Sequence, residues 1–103
     1  MVTPFAYPAS YEMSITESLG LPFDVSGYLG TGQSPASPTS SMVDMGTGDT
    51  VDLGDPTVVA KVITQIVDGS DLDAGHEYLL IVNFTASPSS NVWAVELRII
   101  AAA

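Results

Sequence analysis

His76 is the only histidine of the chain and there is no cysteine, so any chemistry here must be built from one imidazole, hydroxyls and carboxylates. A hydroxyl nucleophile needs an adjacent base and a third group to orient that base. His76 stands between Gly75 and Glu77 in a segment that reads as an exposed corner, where a histidine is expected to be solvated. The serines cluster in loop-like stretches, and none sits on a strained strand-to-helix elbow. Twelve acidic residues could supply a general acid–base pair, yet nearly all fall at turns, where Asp acts by capping and closing the turn.

The densest acidic group is Asp68, Asp71, Asp73 and Glu77. Hard cations take several oxygen ligands from one loop. A calcium loop begun at Asp71 would put Gly75 where an oxygen ligand belongs and His76 where glycine belongs, so turn chemistry is the better reading. Gly27, Gly30 and Gly32 precede no helix and match no phosphate-binding pattern. Asn83-Phe84-Thr85 matches a glycosylation acceptor in letters alone, since Asn83 falls inside a strand pattern. Trp93 shares a face with Val95, Leu97 and Ile99, which places it in a core and not on a ligand-stacking platform. The expectation is a non-enzymatic protein with no metal, no cofactor and no small-molecule ligand.

Twelve acids against two bases give a formal charge of −10, and the bases, Lys61 and Arg98, both lie in the second half of the chain. Nucleic-acid binding needs Lys and Arg to neutralise phosphates, so DNA, RNA and anionic lipid should be repelled. The charge serves solubility, or complements a basic partner. The N-terminus lacks a basic region followed by an apolar run, and the longest apolar run is too short for a membrane span. A protein made in soluble form in the cytoplasm is expected.

The elements that must carry these residues are strands. In Leu72-Asp73-Ala74-Gly75-His76-Glu77-Tyr78, Leu72 and Tyr78 bracket a glycine-containing corner, after which Tyr78, Leu80, Val82 and Phe84 alternate with a period of two. A Tyr at that point can bury its ring and return its hydroxyl to the backbone upstream, the tyrosine corner of immunoglobulin-like sandwiches. With 103 residues the chain suits one such domain. Residues 1–20 are expected to form an extended arm, in which Phe5, Tyr7 and Tyr11 lie among Pro4 and Pro8 and could dock on a neighbouring subunit; Ser14 to Leu19 could make a short helical turn. The sandwich then occupies residues 21–103.

From Leu21, one face carries Leu21, Phe23, Val25 and Leu29. Gly30 to Ser41 reads as a polyproline-like loop around Pro35 and Pro38. A hairpin follows, turned by Gly46-Thr47-Gly48-Asp49, then one strand over Val58 to Val67 ending at Asp68-Gly69-Ser70. The last two strands, Glu77 to Ala86 and Val92 to Ile100, are joined by a turn at Ser87-Pro88-Ser89-Ser90-Asn91. The outcome is an all-β, Ig-like sandwich of about six to seven strands, with Leu72, Gly75, Tyr78 and Trp93 as its fold-defining residues.

The string Leu72-x-x-Gly75-x-x-Tyr78-x-Leu80-x-Val82 is similar to the corner of fibronectin type III and related immunoglobulin-like domains. Over Leu21 to Ile100 the chain resembles the short Ig-like structural proteins encoded among tailed-bacteriophage head and tail assembly genes. The resemblance rests on Phe23-Asp24-Val25-Ser26-Gly27, a Pro38-Thr39 approach to a Thr47-Gly48 hairpin, a valine-rich strand ending at Asp68-Gly69, the Gly75-x-x-Tyr78 corner and a Trp93-containing last strand. It implies a virion structural role, as an adaptor or attachment piece at the neck, tail or fibres, or as capsid decoration. The implied partners are other virion proteins, in several copies around a symmetric assembly. A carbohydrate-binding Ig-like module is the alternative, for which Tyr28 and the Gly30–Ser41 loop are the candidate platform.

Overall fold

Alternation of apolar and polar residues in the chain's second half builds one long strand pair, β-strands over Glu77–Ser87 and Val92–Ala102, against which the other described strands pack. A computed structural model describes residues 9–103. In chain order the strands are β1 (Ala9–Ser14), β2 (Ser18–Asp24), β3 (Ser34–Asp44), β4 (Thr50–Val51), β5 (Thr57–Val59), β6 (Val62–Asp68), β7 (Glu77–Ser87) and β8 (Val92–Ala102). Two single 3₁₀ turns, η1 (Ser26–Tyr28) and η2 (Gly69–Asp71), interrupt them.

A five-stranded sheet of order β1-β8-β7-β3-β4 faces a three-stranded sheet of order β2-β6-β5. The fold is an Ig-like sandwich: β2, β6 and β5 take the places of strands B, E and D, and β3, β7 and β8 those of C, F and G. The core between the sheets is filled by Met13, Met42, Tyr78, Leu80, Val82, Phe84, Val95 and Ile99 from one side and Leu21, Ile63 and Val67 from the other. Gln65 is a buried polar residue of the small sheet; its amide donates to the carbonyls of Gly54 and Ile66, tying the β4–β5 connection down.

Four expectations are corrected. Residues 9–20 are not a free arm: β1 runs parallel to β8, Met13 is 1% exposed in the core, and β2 crosses the expected boundary at residue 20. The alternation of Ser10 and Glu12 with Tyr11 and Met13 is itself a period-two strand signal, overshadowed by the aromatic content. No helical turn follows; residues 15 and 16 simply turn the chain between β1 and β2.

The stretch from Ser34 to Ser41 is strand and not loop, pairing with β7. Its prolines are tolerated because β4 pairs only with Met42 and Val43, so the remainder of that side of β3 is a free edge. The register shifts between Ala36 and Thr39, at a bulge holding Pro38 and Ser37 with φ of 50°. Val58 to Val67 is a hairpin, not one strand. Ala60, at φ 54°, supplies the left-handed turn with none of the usual Gly, Asn or Asp signals. The described residues therefore hold eight strands against the six to seven expected.

Candidate functional site

The corner after β6 positions Asp73 and His76, and the end of β3 positions Asp44. Asp68 closes β6, its carboxylate accepting from the Ser70 N–H and hydroxyl, and these bonds hold its carboxyl below the ordinary range. Gly69 then approaches the β1–β2 turn so closely that its N–H donates to the Glu17 carbonyl at 2.7 Å. Leu72 is buried, and Gly75 turns the chain at φ 86°, a conformation that favours glycine. Tyr78 is 2% exposed, and its hydroxyl accepts the Asp73 N–H at 2.8 Å, as the tyrosine-corner reading requires. Burial pushes the Tyr78 phenol above its usual pKa.

His76 is the correction in this region. Its Nδ1 lies 2.6 Å from Asp44 Oδ2, so the imidazole is paired and not merely solvated. Asp44 is buried at the end of β3, and its other oxygen accepts the N–H groups of Gly46 and Thr47 in the β3–β4 turn. The pairing register sets Asp44 across from Tyr78, two residues from His76. The hydrogen bond to Asp44 raises the His76 pKa, with Asp73 adding to it, while the bond from His76 lowers that of Asp44. The His76 ring also stacks at 23° on the Tyr78 ring.

Asp73 completes the group. One donor atom each from Asp44, Asp73 and His76 lie within 4.8 Å of one another; Asp44 and His76, with Met45, Gly46, Gly75 and Glu77, line an open hollow of about 380 Å³. Such a set can share a proton or hold a cation; no hydroxyl or thiol nucleophile lines the hollow. Of the expected acidic cluster, Asp73 alone joins this group, which is the one convergent set of three such ligands among the described residues. Asp44 was not singled out by sequence. Its one local signal is an Asp preceding Gly46-Thr47-Gly48, and that predicts a turn.

Phe5 and Tyr7 lie outside the described residues. Tyr11 pairs with Ile99 on the inward face of β1 and is 41% exposed, because it borders an apolar groove of about 430 Å³ where the edges of β1 and β2 leave the sandwich open. Leu21, Phe23, Val95 and Leu97 line the same groove. Trp93 is half-buried against the core, as its face predicted. Tyr28 meets Trp93 and Phe84 edge-on, at ring-centre distances of 5.6 and 5.8 Å. That packing holds the half-buried Tyr28 ring against the core.

The outer face of the small sheet is different in kind. By register, Gly20 and Pro22 of β2, Val62, Thr64 and Ile66 of β6, and Thr57 and Val59 of β5 share it, with charge only at its ends, on Asp24 and Asp68. Ile66 is 61% and Val59 75% exposed. In comparisons with known proteins, the chain matches no family model and no curated protein.

Proposed function

We propose that this protein is a non-enzymatic structural component of a tailed-phage virion, an adaptor or attachment piece at the neck, tail or fibres, held by other virion proteins. The phage setting rests on the strand-and-turn pattern described in the sequence. The observation that carries the attachment role is the uncharged outer face of the β2-β6-β5 sheet. In a chain of formal charge −10, a partner can cover Ile66, Val59 and Thr64 without burying a carboxylate. Depletion of charge with apolar side chains at the centre and polar groups at the rim is the anatomy of a protein interface.

The test is incorporation. Virions purified from an infected host are assayed by mass spectrometry and electron microscopy, with wild-type chain expected at fixed stoichiometry. Ile66→Asp should keep its fold, because an exposed substitution usually changes stability by no more than about 0.5 kcal/mol, yet be lost from particles. Absence of wild-type chain from virions, or full incorporation of Ile66→Asp together with Val59→Asp, overturns the reading.

A further inference from the structure

We propose that Asp44, Asp73 and His76 form a binding site for a divalent first-row transition metal ion, with Zn²⁺ as its natural probe. Asp44 comes from the end of β3, whereas Asp73 and His76 come from the corner that leads into β7, and the backbone of that corner is held by hydrogen bonds. Asp44 is oriented by the Gly46 and Thr47 N–H groups on Oδ1, which directs Oδ2 at His76 Nδ1, 2.6 Å away, as its one oxygen on that side. The Asp73 backbone is fixed by Tyr78, and the His76 N–H donates to the Asp73 carbonyl at 3.2 Å. Gly75 and His76 are further locked to β8, through Gly75 N–H to the Ala101 carbonyl and Ala101 N–H to the His76 carbonyl.

The fold gives a reason for the Asp44–His76 pair but none for the third member. The tyrosine corner uses the backbone N–H of Asp73, and no hydrogen bond to its carboxylate exists among the described residues. That carboxylate nevertheless converges on the pair, with all three donor atoms within 4.8 Å. Two carboxylate oxygens and an imidazole nitrogen make three ligands, and the open hollow that Asp44 and His76 line leaves room for water as a further one. Calcium and magnesium prefer all-oxygen shells, whereas imidazole suits zinc and its neighbours. On binding, the ion takes the place of the proton shared by Nδ1 and Oδ2, which leaves to solvent. Two carboxylates and a neutral imidazole then neutralise the ion's charge.

The experiment uses the full chain, untagged and stripped with chelator, titrated with Zn²⁺ by calorimetry and followed by ¹⁵N NMR of the imidazole. His76 is the only histidine and no cysteine competes, so a shifted imidazole resonance reports this site alone. The expected result is saturable one-to-one binding. Asp73→Asn and His76→Ala should each weaken it at least about tenfold, since even outer-shell changes at metal sites cost roughly 10–100-fold, while Asp71→Asn leaves it unchanged. Asp73→Asn keeps the backbone contact to Tyr78, so its fold, checked by circular dichroism, is expected to be native. Absence of saturable binding, binding indifferent to Asp73→Asn, or equal affinity for Ca²⁺ overturns the proposal.

Discussion

Tyr78→Phe isolates the bond that closes the corner. The ring is 2% exposed, and Phe fills the same space, so the hydrophobic contribution is preserved. What is lost is the 2.8 Å hydrogen bond from the Asp73 N–H to the hydroxyl. A neutral intramolecular hydrogen bond contributes about 0.5–1.5 kcal/mol net, and a donor left buried without a partner costs about 1–3 kcal/mol. Asp73 is exposed, so its N–H can recover water, which places the cost near 1 kcal/mol. For a domain of this size that lowers the thermal midpoint by roughly 4–8 °C. In urea, with a slope of about 1–3 kcal/mol per molar, the midpoint falls by roughly 0.3–1 M at unchanged slope. Urea denaturation followed by Trp93 fluorescence measures it. A midpoint equal to wild type would refute the hydrogen bond as a stabilising element of the corner.

Gly69→Ala should destabilise by about 1–3 kcal/mol or more in the same assay, because the added Cβ would lie 2.5 Å from the Ser14 carbonyl oxygen and 2.7 Å from that of Glu17, backbone atoms that cannot step aside; a midpoint within error of wild type contradicts that packing. Met13→Ala should cost about 2–5 kcal/mol as a buried core truncation, and a chain lacking residues 1–20 should show no cooperative unfolding, since it loses β1 and the start of β2; native-like unfolding of the shortened chain would return that segment to the status of an arm. The Asp44–His76 pair should make stability pH-dependent. The folded pKa of His76 is raised, so its contribution is complete below its ordinary value of 6.5 and is lost as pH rises through the folded value, whereas that of Asp44 is lowered, so its contribution is complete above 3.8 and is lost as pH falls through the folded value. The midpoint difference between wild type and His76→Gln should therefore be largest between those two values and shrink on the alkaline side; a difference independent of pH would show that the pair contributes no charge-assisted bond.

The tyrosine corner was legible because its logic is local. Tyr78 bonds a backbone group five residues upstream, Gly75 marks the left-handed turn between them, and the period-two run that follows states which side is buried. The β3–β4 turn and the inward face of β8 were readable for the same reason. Composition misled where position in the sheet overruled it. Pro35 and Pro38 argue against a strand until β3 is known to have a free edge, and Ala60 gives no sign of the left-handed backbone on which the β5–β6 hairpin turns.

The candidate site belongs wholly to tertiary structure. Asp44 and His76 are 32 residues apart, and each taken locally is an ordinary turn residue. They meet because β3 pairs with β7 in a register that sets Asp44 opposite Tyr78, and that register follows from which faces of both strands must be buried. The uncharged outer face of the small sheet likewise exists only once β2, β6 and β5 are laid side by side, since its residues come from three segments that show no common pattern along the chain. Local alternation determined that this chain is a β-sandwich with a tyrosine corner; strand pairing, which sequence periodicity does not encode, decided which side chains share a surface.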